Sequence, residues 1–241
     1  MISSKYILLA KFGKKENLEQ LQKGNIFFNT IQVYRNDGTN YRGDAMEGKI
    51  PIDPKTIQIL DSEGKNIFEK IPYPDSVIET LDNDENLMMF CSAAINENVL
   101  YKVGDNTWRF KEDFKNSISN FGEYVLLFYS IELLKNIELA KDINGQKIQY
   151  AGDYIQYREL NDFTHTEEYR KTGSWIDRYF VKGLSYKNQN EWRVIIDGER
   201  EALKVNCGNG FLLKTLPFEY SMLMKTKKLL EAEITICEKL S

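Results

Sequence analysis

Apolar and polar positions change over in short runs along this chain, and those runs predict more strands than helices. Tyr6 to Lys11 is apolar and opens the pattern as a strand. Lys15 to Lys23 (KENLEQLQK) then sets Leu18 and Leu21 on one helical face, with Gly24 as the stop. Asn25 to Asn29 predicts a short strand. The continuous apolar runs Leu87 to Ile95 and Tyr124 to Tyr129 predict buried ones. Lys147 to Tyr154, Trp192 to Ile196, Phe211 to Lys214 and Ala232 to Ile236 add further strands, and Ser62 to Gly64 reads as a hairpin turn. Helices are expected over Lys111 to Phe121 and over Ile131 to Ala140, the latter with Leu133, Leu134 and Ile137 inward. Two more are expected over Glu167 to Phe180, with Trp175 and Tyr179 on the apolar face, and around Phe218 to Leu230. The interleaving predicts an α+β fold with a mixed or antiparallel central sheet and short helices between its strands. No repeat or linker interrupts the 241 residues, which favours a single domain over 1–241.

Charge and rare residues narrow the chemistry. The net charge of −4 argues against a broad nucleic-acid-wrapping surface. A local groove remains open, for which Lys111, Lys115, Arg170, Lys171, Lys182 and Lys187 supply cations. A membrane span needs about 20 mostly apolar residues, and the longest apolar run is far shorter. The N-terminal apolar stretch lacks a small-residue cleavage site and reads as a strand, not a signal peptide. Three widely spaced cysteines, Cys91, Cys207 and Cys237, form no C-x-x-C pair, and reduced thiols in a cytoplasm are the simplest reading. The lone histidine, His165, excludes H-E-x-x-H sites and two-histidine acid–base pairs, and no glycine-rich phosphate loop occurs. Chemistry here therefore falls to carboxylates, lysine, arginine, tyrosine and amides, with no metal expected.

Three segments concentrate such groups. Lys11 closes the first apolar strand directly before a helix, which aims a side chain into the crevice at the strand's end; snorkelling at the edge is the plain alternative. Tyr34 to Gly48 (YRNDGTNYRGDAMEG) is too polar for a core. It offers Arg35 and Arg42 to phosphate, Tyr34 and Tyr41 to a flat ring, and Asp44 and Glu47 three residues apart. In the third, Gln189, Glu191 and Arg193 alternate onto one strand face, opposite Trp192 and Val194. A carboxylate at the mouth of a buried strand is costly unless it is paired or used. Pairing of Glu191 to Arg193 or a neighbouring lysine is the structural alternative to a catalytic role.

Taken in order, these pieces resemble the ADP-ribosyltransferase fold. Asn17, Leu18, Leu21 and Gly24 match the opening of the DarT and RNA 2′-phosphotransferase branches, with Lys11 standing where those branches place histidine. Gln189-x-Glu191 resembles the Q/E-x-E pattern of the toxin-like branch. The Phe90-Cys91-Ser92 strand and the Gln189 to Arg193 strand are also similar to bacterial proteins encoded near phage-defence genes. The resemblance implies an NAD-dependent transferase, a toxin or defence effector, with nucleic acid or protein as acceptor. It implies Glu191 at the ribose and Gln189 at the acceptor. Lys11, Arg35 or Arg42 would meet the pyrophosphate, Tyr34 or Phe12 the nicotinamide, and Asp44, Glu47 and Arg193 would complete the cofactor site. The residues leave other readings open. One is a non-catalytic nucleotide-binding module. Another is a glycosyl hydrolase pairing Glu191 with Asp44 or Glu47, and a third is a protein with purely structural charges.

Overall fold

A computed structural model describes residues 6–39, 41–82, 84, 87–140, 142–143, 146–159, 163, 171, 175–196 and 210–235. The central strands are β1 (Leu8–Gly13), β2 (Asn25–Thr30), β3 (Met88–Ile95), β4 (Tyr124–Tyr129), β5 (Tyr150–Tyr154), β6 (Glu191–Ile196), β7 (Gly210–Lys214) and β8 (Met222–Lys225). Helices α1 (Lys15–Gln22), α2 (Ile31–Asn36), α3 (Glu112–Ile118) and α4 (Ser130–Ala140) lie between them. The expected α+β class is observed, and every pairing in the central sheet is antiparallel. The strand order is β5-β6-β3-β1-β4-β8, with β2 also on β3 and β7 outside β2.

Packing explains the two continuous apolar runs. On β1, Leu9 and Ala10 point to opposite faces, and both are fully buried. Leu9 joins a core with Leu18 and Leu21 of α1 and Leu133 and Ile137 of α4, the helix residues that the periodicity had turned inward. Ala10 joins Phe110, Phe114 and Val125 on the other face, under α3. A sheet covered on both sides loses the polar alternation of a half-exposed one.

The long strand β3 carries the feature that makes the site. One of its edges pairs with β6 along its length, from Ala93↔Glu191 to Met88↔Ile196. The other edge is shared. β1 holds it at Ala93 to Ile95, and β2 holds it at Met88 and Met89. Ala94 N–H donates to Asn190 C=O at 2.8 Å, so the peptide groups of alternate residues from Ala94 turn toward β6. Those of Met89, Cys91 and Ala93 turn the other way. Met89 meets β2 and Ala93 meets β1, while Cys91 stands between them, where the sheet forks.

Three expected elements differ in detail. Residues 222–225, expected as helix, form edge strand β8, and only Thr226–Leu230 is helical. The expected helix from Glu167 falls largely outside the described residues; its end, Trp175–Phe180, is a 3₁₀ segment with Tyr179 fully buried. The turn at Ser62 to Gly64 is present, but a single bridge, Leu60↔Asn66, stands for the hairpin. His165, Cys207, Cys237 and Arg170 lie outside the described residues. Among the described residues, no helix is long and apolar enough to cross a membrane.

Gly24 fixes the α1–β2 corner. Its φ is +89°, and an added Cβ would sit 2.4 Å from the Thr215 carbonyl oxygen. Gly24→Ala is expected to lower unfolding stability by about 1–3 kcal/mol, the usual cost of a forced left-handed residue. Gly38→Ala, where nothing lies within 4 Å, should change it little. Urea unfolding of the two variants checks the contrast.

Candidate active site

The fork opens into a cleft of about 1160 Å³. Lys11 and Phe12 of β1, Asn29 of β2, Tyr34 of α2 and Cys91 of β3 line it together with Gln189 and Glu191.

Glu191 owes its position to the residue before it. Asn190 is left-handed (φ 46°), a conformation that asparagine tolerates better than most residues. Its amide donates to Ala94 O at 2.7 Å and to Asn96 Oδ1 at 3.0 Å. The 3₁₀ segment Leu184–Gln189 is thereby turned into the sheet at a fixed point, with Glu191 at the ladder's mouth. The Glu191 N–H donates to the Tyr157 hydroxyl at 2.7 Å.

The Glu191 side chain is buried and doubly paired. Arg193 donates to Oε1 through Nε at 2.9 Å and Nη2 at 2.7 Å. Lys182 Nζ donates to Oε2 at 2.8 Å and to Gln189 Oε1 at 3.3 Å. Lys182 arrives on the short strand Val181–Gly183, which runs parallel to Gln156–Arg158 with Lys182 opposite Tyr157. Behind Glu191, the Arg193 guanidinium continues to Glu47 Oε1 at 2.6 Å and the Tyr179 carbonyl at 2.5 Å. Two carboxylates and two cations thus balance inside the protein.

Burial alone would raise the Glu191 carboxyl, but Arg193 and Lys182 outweigh it and hold the group well below the ordinary range. Glu47 moves the other way: burial prevails over its attraction to Arg193 and raises it. Burial lowers Lys11. Burial, with Glu191 next, pushes the Cys91 thiol up to about 12, so it stays protonated at neutral pH.

The predicted residues divide into two groups. Glu191, Gln189, Lys11, Phe12, Tyr34 and Arg42 line the cleft. Arg35, Asp44, Glu47 and Arg193 do not. Arg35 forms a two-point pair with Asp84, at 2.6 Å on both arms, and its Nε reaches the Glu47 carbonyl. It braces the loop and is corrected out of the phosphate role. Asp44 accepts from Met46 N–H at 2.9 Å, and Glu47 and Arg193 stand behind Glu191 as its support. The segment Tyr34 to Gly48, expected outside the core, therefore buries Asp44 and Glu47. The Arg193 ion pair offsets the burial of Glu47, and the Met46 N–H satisfies Asp44, which polarity counts alone could not reveal. Glu47 is anchored to the guanidinium that also holds Glu191, so neither proposed hydrolase partner faces the cleft. Both ends of the Gln189 amide are occupied, its Nε2 donating to the Tyr41 carbonyl at 2.7 Å. Of the cations named for a local groove, Lys182 is buried, while Lys111 and Lys115 bond to neighbouring residues.

Tyr157 and Asn190 are site residues that the sequence reading did not single out, and Lys182 was named there only as a groove cation, not as a partner of Glu191. The available signal was a lone lysine in the apolar run Phe180 to Gly183, where a charge needs a buried partner. Comparisons with protein families, curated proteins and solved structures gave no match.

Arg193→Met leaves two buried carboxylates facing one another and is expected to cost about 3–5 kcal/mol. Adding Glu47→Gln should recover part of that loss in thermal unfolding. The low Glu191 value also predicts acid sensitivity. Its folded pKa lies below its unfolded value of about 4.3, so its contribution is full above that pH and is lost as pH falls toward the folded value. Glu47, being raised, gains native stability as pH falls and offsets part of this. Urea midpoints measured between pH 6 and pH 3 should fall less steeply in Glu191→Gln than in wild type.

Proposed function

We propose that the fork cleft binds NAD and that the protein is an ADP-ribosyltransferase acting through Glu191. The observation that carries this reading is the convergence of Glu191, Gln189 and Lys11 on one cleft at the place where an antiparallel sheet divides. Breaking the bond between nicotinamide and ribose builds positive charge on the ribose ring, and a fixed carboxylate beside it favours that charge. In this reading the C1′–N bond electrons leave with neutral nicotinamide. An acceptor oxygen or nitrogen forms the new bond to C1′ and releases its proton. Glu191 Oε2 takes one bond from Lys182, and the carboxylate lines the cleft where a ribose hydroxyl would donate to it. Phe12 and Tyr34 supply flat faces for the nicotinamide. Nucleic acid and protein are the acceptor classes carried by this reading, in a cytoplasmic setting.

A second reading draws on a specific contact. Lys182 and Arg193 already neutralise Glu191. A carboxylate so compensated gives an oxocarbenium less support, which favours a module that binds a nucleotide without cleaving it.

Nicotinamide release from NAD separates the two. Wild type should release it, more so with cell lysate as the acceptor source. A folded Glu191→Gln protein should be slower by about 100–1000-fold, the usual cost of one charge-stabilising group. Equal rates in the two proteins would sink the role of Glu191. Tight NAD binding with no release by wild type would establish the binding module.

A further inference from the structure

Lys11 does not behave as a satisfied surface lysine. Its ammonium has three N–H donors, and among the described residues one hydrogen bond uses them, to Cys91 O at 2.6 Å. The ammonium also lies 4.5 Å from the centre of the Phe90 ring. Among the described residues it forms no ion pair, whereas Lys182, which lines the same cleft, has Glu191. A cation set against a ring and a carbonyl at the floor of a cleft, with two donors left over, is poised for an anion.

The backbone beside it gives a second, independent indication. Ladder alternation turns the peptide groups of Met89, Cys91 and Ala93 toward the forked edge, and the outer two are taken by β2 and β1. Among the described residues, Cys91 has no strand partner there. Its C=O is occupied by Lys11, which leaves its N–H turned into the fork. Arg42 lines the same cleft from the polar loop.

We infer that the fork is an anion subsite in which Lys11 Nζ and the Cys91 N–H receive a phosphoryl group of the bound nucleotide. This deepens the nucleotide reading of the cleft and rests on it. It selects phosphorylated ligands over nucleosides, and it assigns to Lys11 the phosphate contact that Arg35, bound to Asp84, does not make.

Calorimetric titration with ADP, adenosine and inorganic pyrophosphate tests it, using wild type, Lys11→Met and Lys11→Arg, each shown to be folded by its thermal melt. Wild type should bind ADP at least about tenfold more tightly than adenosine, as one charge-assisted contact allows. Lys11→Met should bring ADP down to the level of adenosine, and Lys11→Arg should keep most of the preference. Pyrophosphate binding that depends on Lys11 would show that the phosphoryl group suffices. Equal affinity of wild type for ADP and adenosine, unchanged ADP affinity in Lys11→Met, or no binding of ADP and pyrophosphate at millimolar concentration would each overturn the subsite. Nicotinamide release keeps the two readings apart. Lys11-dependent ADP binding by a wild type that leaves NAD intact refutes the transferase and retains the subsite. NAD cleavage with the same KM in Lys11→Met refutes the subsite and retains the transferase.

Discussion

The Arg193 guanidinium, fully buried at the third position of β6, is the contact on which the site depends. One planar cation touches Glu191, Glu47 and the Tyr179 carbonyl, and so ties the sheet, the polar loop and the 3₁₀ segment together. A cation taken out of water loses several kcal/mol of hydration, which its partners restore only if all of them stay in place. This explains why the polar loop is not free to drift. Glu47 must reach Arg193, and Arg35 must reach Asp84 to hold the loop on the other side.

Orientation of Glu191 follows from these restraints. Its backbone is fixed by Asn190 and Tyr157, one carboxylate oxygen by Arg193 and the other by Lys182. Such a group loses little entropy on meeting a ligand, the essence of electrostatic preorganisation. The same pairing that orients the carboxylate also dilutes its charge, and the two readings of the cleft divide on which effect dominates. Lys11, in the same cleft, is under the opposite condition, with few partners and an open donor set.

Much of the fold was legible in the sequence because the buried strands carry unbroken apolar runs and the helices show clean faces. Leu87 to Ile95 and Tyr124 to Tyr129 became β3 and β4 with little change, and Leu18, Leu21, Leu133 and Ile137 are all buried. The expectation failed where tertiary contacts override local pattern. Residues 222–225 carry helix-compatible residues but pair with β4 at the sheet's edge. Asp44 and Glu47 look like surface in any local window, and Glu47 is held inside by Arg193, which arrives from a strand 146 residues further along the chain. Within the site, the Glu191–Arg193 alternation was readable, since a strand must place both on one face, but Gln189, expected on that face too, ends a 3₁₀ segment before the strand begins. Lys182 was not readable, because its partner is set by the parallel pairing of two three-residue strands. The fork was invisible too, since it arises from where β1 and β2 stop along β3 and not from any residue's own preference.

The two-residue spacing of Glu191 and Arg193 sets different limits on length change in different parts of the chain. Loss or gain of one residue between Asn190 and Arg193 would flip either the carboxylate or the guanidinium to the face occupied by Trp192 and Val194. The hairpin Ile50–Ile52 and Val77–Glu79 and the exposed stretch it encloses lie outside the central ladder. Insertions and deletions during divergence should therefore collect in that appendage. The six residues of β6 should keep their length even where their side chains drift.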